Sequence, residues 1–182
     1  MKNKELRLIH KNILKDDFSY AKQYEKAFNI LIYSEQNNID LPMLFLLRHN
    51  IELLLKANIK YFLQSEKDNK ILKNLGQTHN LTDLYKIFKK QRAKIIDIFP
   101  PDEHETKYMQ RLQTLIHLIN DIDNKQSIGL RYSHTKYTEE GEHSYEEKGK
   151  IIHIKKIKKL SKQVNIYLKN LKGFIEKKKD TN

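Results

Sequence analysis

The stretch "LPMLFLLRHNIELLLKANIKYFL", Leu41 to Leu63, decides the fold. Wound at 3.6 residues per turn, it sets Leu44, Leu47, Ile51, Leu54, Asn58 and Phe62 in one stripe. Phe45, Leu46, Leu53 and Leu55 cover the other sides. A helix this apolar on all sides belongs at the centre of a bundle. Arg48, His49 and Glu52 interrupt it at its middle. Buried charge is costly unless it is paired. Arg48, Glu52 and Lys56 are four residues apart, so they line one edge of the helix and can pair along it. Two readings follow: an ion pair that fixes helix register, or one wall of a polar site.

Outward from this helix the chain reads as all-α. It has 3 Pro and 5 Gly in 182 residues, and β-branched alternation is rare. A first helical region is expected from about Asn3 to Gln36, broken near Asp16-Asp17, with Tyr20, Tyr24, Ala27 and Leu31 inward. "NNIDLP" reads as a loop with Asp40 as N-cap and Pro42 in the first turn of a helix reaching Ser65. "EKDNKILKNLGQ" reads as a polar loop. "THNLTDLYKIFKKQRAKII" opens on a capping signal and turns Leu81, Leu84, Tyr85 and Phe88 inward. "FPP" ends it, because the residue before a proline is pushed out of helical geometry. Met109, Leu112, Leu115, Ile116 and Ile119 mark the next helix. "NKQSIGLRYSHTKYTEEGEHSYEEKG" reads as a long loop or small β-hairpin turning at Glu140-Gly141. Ile157, Leu160, Val164, Leu168, Leu171 and Ile175 mark the last helix. The expectation is a single domain over residues 1–182, a bundle of four to five helices, with 179–182 frayed.

Cysteine is absent, which removes disulfides, thiolate chemistry and Cys-based zinc sites. The N-terminus has no uninterrupted apolar core, so it is not read as a secretory signal. The apolar stretch is broken by charge, which argues against a membrane span. A soluble, cytoplasmic protein is expected. The formal charge is +12, and Lys148 to Lys179 alone hold 12 Lys against Glu176, a local +11. Such a stripe attracts polyanions, nucleic acid first. Lys155, Lys156, Lys158, Lys159 and Lys162 are the candidate backbone contacts; a solvated helix face is the plainer alternative. No cofactor or metal is expected, since the spacing of His134, His143 and His153 fits no standard zinc pattern.

Two further segments carry candidate site residues. His79 and Asn80 stand at a helix N-terminus, where backbone N–H groups and the helix dipole favour an anion. Plain capping is the alternative. Arg131, Tyr132 and His134 stand in a loop after a helix, a common place for site residues.

Together, "RHNIELLLKA", "THNLTDLY" and "LRYSHT", in this order, resemble HEPN domains, over about Leu44 to Leu171. Arg48, His49, Glu52, Leu53 and Lys56 match the family's first motif closely. In the second, His79 and Leu81 match; in the third, Arg131 and Tyr132 match, with Leu130 in place of Phe. The resemblance implies a helical bundle that usually dimerises. It also implies a metal-independent endoribonuclease of anti-phage defence, abortive infection or toxin–antitoxin systems, with an antitoxin or defence-system partner. Other members have lost catalysis and bind RNA, nucleotide or a protein. The implied catalytic set is Arg48, His49, Glu52, His79, Arg131, Tyr132 and His134. The family's active-site motif is Arg-x(4–6)-His, and here Arg131 and His134 have only two residues between them. "RLQTLIH" fits that motif literally, making Arg111 and His117 an alternative pair, although a regular helix sets them about 120° apart.

Overall fold

The computed structural model describes residues 16–34, 40–63, 69–95, 100–122 and 154–179. All the elements among them are helices: α1 (Asp17–Ile32), α2 (Asp40–Leu63), α3 (Asn69–Gln77), α4 (Leu81–Ala93), α5 (Glu103–Ile122) and α6 (Ile154–Lys179). The all-α bundle expected from the sequence is what the chain forms. The segment read as a long loop or hairpin before the last helix lies outside the described residues. So do the stretch before Asp16 and the tail expected to fray beyond Lys179.

Helix α2 is central, packing against α1, α3, α4 and α6. Leu44, Leu47, Ile51, Leu54 and Leu55 are fully buried, and Asn58 and Phe62 are buried with them. The polar members of this stripe are satisfied across helices. Asn58 Nδ2 donates to the Leu54 carbonyl and, at 2.9 Å, to the Leu168 carbonyl of α6. Asn50 Nδ2 donates to the Ala21 carbonyl of α1 at 2.8 Å. Helix α1 runs antiparallel to α2, since Asp17 pairs with Lys60 while Ala21 meets Asn50. Helix α6 runs parallel to α2, through Asn58 with Leu168 and Tyr61 with Lys172. Helix α4 also runs along α2, placing Phe88 against Phe62, and α5 returns antiparallel to α4.

Three expectations are corrected. The segment read as a polar loop contains α3, because Ile71, Leu72 and Leu75 share one side of a short amphipathic helix and pack onto the core. It is an additional helix beyond the four to five expected. Asp40, read as the N-cap, is already the first residue of α2, and Pro42 is tolerated there because first-turn N–H groups lack intrahelical partners. On α1, Leu31 packs on the core as expected and Tyr24 turns to His49, but the fully buried residues are Ala21 and Phe28, while Tyr20, expected inward, is 40% exposed. Asp16 caps α1 by accepting from Ser19 N at 2.8 Å.

Candidate functional site

The site is built on Glu52. Its side chain is 1% exposed, at the middle of the central helix. A carboxylate there must be paired to remain charged, and α2 supplies its partners at helical spacing. Arg48 Nη1 donates to Oε2 at 3.3 Å, and Lys56 Nζ donates to Oε1 at 2.9 Å. Both cations are themselves buried. From the turn before α4, His79 places Nδ1 2.7 Å from Oε1. Arg48 closes the link, with Nη2 donating to the His79 carbonyl at 2.8 Å.

Electrostatics follow from this geometry. Burial alone pushes the Glu52 carboxyl up. His49, Lys56 and His79 around it, with the Lys56 charge, outweigh burial and hold it well below the usual carboxylate range. Glu52 is therefore an acceptor only, so the proton between it and His79 sits on Nδ1 of the imidazole. The His79 side chain is 41% exposed, so the cluster is buried at its carboxylate and open at its imidazole. A histidine held through one nitrogen by an ionised carboxylate is oriented for acid–base work.

His49 sits at the edge of the same cluster. Its Nδ1 is 3.8 Å from Glu52 Oε2, too long for a hydrogen bond. The ring is clamped by aromatics, edge-on to Tyr24 and stacked on Phe45 at centroid distances of 4.4 and 5.9 Å. Asn80 caps α4, its Oδ1 accepting from Thr82 N at 2.8 Å and Asp83 N at 3.2 Å. That cap fixes the turn on which His79 stands.

The structure thus brings Arg48, His49, Glu52 and His79 together, with Lys56 as the fifth member. Arg131, Tyr132 and His134 lie outside the described residues. The alternative pair does not converge within one chain. Arg111 and His117 both lie on the continuous helix α5, with His117 exposed and the Arg111 guanidinium 5.3 Å from the Tyr108 ring centroid. Lys155, Lys156, Lys159 and Lys162 are exposed on α6, and Lys158 is half-buried with Nζ 3.4 Å from the Tyr33 ring centroid. The pairing of Asn58 with Leu168 and of Tyr61 with Lys172 fixes the register of α2 and α6. Among the described residues, no group of three His, Asp or Glu is placed to hold a metal ion, and no helix is long and apolar enough to cross a membrane.

A second polar node escaped the sequence reading. Arg92 of α4 grips Glu105 of α5 through two bonds of 2.7 Å, Nε to Oε1 and Nη2 to Oε2. The Tyr167 hydroxyl of α6 donates to the same Oε1 at 2.9 Å. Burial pushes the Tyr167 phenol up, and the Glu105 charge pushes it further. The node joins three helices at residues distant in sequence, so no local spacing could reveal it. No protein-family model, curated protein or solved structure matches this chain.

Proposed function

We propose that the chain is an RNA-directed, HEPN-like protein that cleaves RNA without a metal ion, as an effector of anti-phage defence or of a toxin–antitoxin pair. The observation that carries this reading is the 2.7 Å contact between His79 Nδ1 and the buried, ionised Glu52. In the proposed reaction His79 Nε2 takes the proton of a ribose 2′-hydroxyl. The 2′-oxygen bonds to the adjacent phosphorus and the P–O5′ bond breaks. His134, carried over from the family resemblance, returns a proton to the 5′-oxygen, and Arg131 stabilises charge on the phosphorane-like transition state. Arg48 and Lys56 are positioning residues, because both are buried against Glu52. The exposed lysines of α6 supply phosphate contacts that add affinity without sequence choice.

Purified protein incubated with RNA in EDTA tests this. The parent cuts; His79→Ala lowers the rate by about 10²–10⁴-fold, and Arg131→Ala and His134→Ala stop cleavage. Cleavage by all three variants at the parental rate overturns the reading.

One observation favours a second reading, a non-catalytic module that binds RNA, nucleotide or a partner protein. Arg48 is 1% exposed and commits its two terminal nitrogens to Glu52 and the His79 carbonyl, as a purely structural ion pair would. Expression in bacteria separates the two: a nuclease arrests growth and a binding module does not.

A further inference from the structure

The outer face of α1 carries a pattern that the Glu52 cluster does not use. Lys22, Lys26, Ile30 and Tyr33 are all exposed and recur at helical spacing, so they form one stripe. Ile30 is 62% and Tyr33 68% exposed, the most exposed large hydrophobic side chains among the described residues. Helix α6 lies alongside, antiparallel. Lys169 of α6 binds Glu25 at 2.8 Å, and Lys158 stands over the Tyr33 ring at 3.4 Å. Between these two points, on the same side of α6, lies exposed Lys162. Both acids of α1 are paired: Glu25 with Lys169 at one end of this strip, and Asp17 with Lys60 at 2.7 Å. A strip of ring and aliphatic surface is therefore bordered on both helices by cations.

Resting on the RNA-directed reading above, we infer that this α1–α6 face is a track for single-stranded RNA, with Tyr33 as a stacking platform for an unpaired base. Lys22, Lys26, Lys158 and Lys162 meet the phosphates. The chemistry selects the strand state. Phosphate contact alone would suit duplex and single strand equally, whereas an exposed aromatic face is useful only where bases are unstacked. Lys158 over one face of the ring makes the platform more electropositive and adds a cation close to the phosphate of a stacked nucleotide. Tyr24, between Lys22 and Lys26, turns to the opposite side and touches His49. Helix α1 thus presents the track outward while Tyr24, on another side, meets the His49 ring at the edge of the Glu52 cluster.

Titration of a labelled oligouridylate and of a duplex RNA of equal length, by fluorescence anisotropy at two salt concentrations, tests the inference. The parent binds the single strand more tightly. Tyr33→Ala weakens that binding by about 5- to 150-fold, the usual worth of one base–aromatic stack, and leaves duplex binding unchanged. Tyr33→Phe retains the parental affinity, and both variants keep the parental melting temperature because the ring is exposed. Lys26→Ala weakens both ligands and lowers the salt slope for the single strand by about 0.7. Equal single-strand affinity of Tyr33→Ala and parent overturns the stacking platform while the RNA-directed reading stands. No RNA binding at low salt, with co-sedimentation on phosphatidylserine vesicles instead, overturns both and assigns the face to an anionic membrane surface.

Discussion

At the scale of the residue, Glu52 governs both stability and the imidazole it orients. Its folded-state pKa is depressed, so the stability it contributes is fully present above its ordinary value of 4.5. That stability disappears as pH falls below this value toward the folded pKa. Glu52→Gln keeps the shape but leaves Arg48 and Lys56 buried without their carboxylate. Removal of one partner from a buried ion pair costs about 3–5 kcal/mol. Urea unfolding at neutral pH is expected to show that deficit, and the gap between parent and variant is expected to narrow as pH drops below 4.5. A gap that stays constant down to strongly acidic pH would mean that Glu52 is not the group whose charge matters. The ion pair on α2 was legible in the sequence because Arg48, Glu52 and Lys56 are four apart. The role of the His79 carbonyl as an acceptor for Arg48 was not, since backbone acceptors leave no trace in side-chain identity.

At the scale of the element, the turn before α4 converts a local capping choice into site geometry. Asn80 holds the N–H groups of Thr82 and Asp83 in the first turn of the helix, and His79 precedes it directly. Asn80→Ala is expected to cost about 1 kcal/mol, read as a lowered melting temperature. RNA cleavage at a temperature where the variant is still folded is expected to fall further than that cost accounts for, because the turn that carries His79 loses its cap. Asn80→Asp retains an acceptor and should preserve both. Helices with long apolar stripes were legible: α2, α4, α5 and α6 bury the residues that their periodicity selects. The short helix α3 was not, because "EKDNKILKNLGQ" is dominated by polar residues and its three apolar ones gain their meaning only from the core beneath. On α1, Tyr20 and Ala21 compete for the inward position. Packing against Asn50 settles the choice for the smaller residue, a tertiary preference that a periodicity count cannot resolve.

At the scale of the whole molecule, a net charge of +12 is almost wholly the charge of the last helix and its approach. In a central helix bundle only one side of each outer helix is needed for the core. Helix α6 uses Ile157, Val164, Leu168, Leu171 and Ile175 for that purpose, and lysines, with Ile166 and Phe174, are exposed on its remaining surface. Self-repulsion along such a face destabilises the compact state slightly, and a polyanion relieves it. The exposed lysines of the first turns, Lys155, Lys156, Lys159 and Lys162, are therefore expected to matter for binding and not for folding. Replacing all four by alanine should lower the melting temperature by no more than about 4–8 °C, or raise it, since surface changes of this kind are worth about 0.5 kcal/mol or less each and the four together about 2 kcal/mol at most. The slope of log affinity for single-stranded RNA against log salt should fall by about 3, since each phosphate that a lysine neutralises adds about 0.7 to it. An unchanged slope with lowered affinity would place the phosphates elsewhere on the bundle.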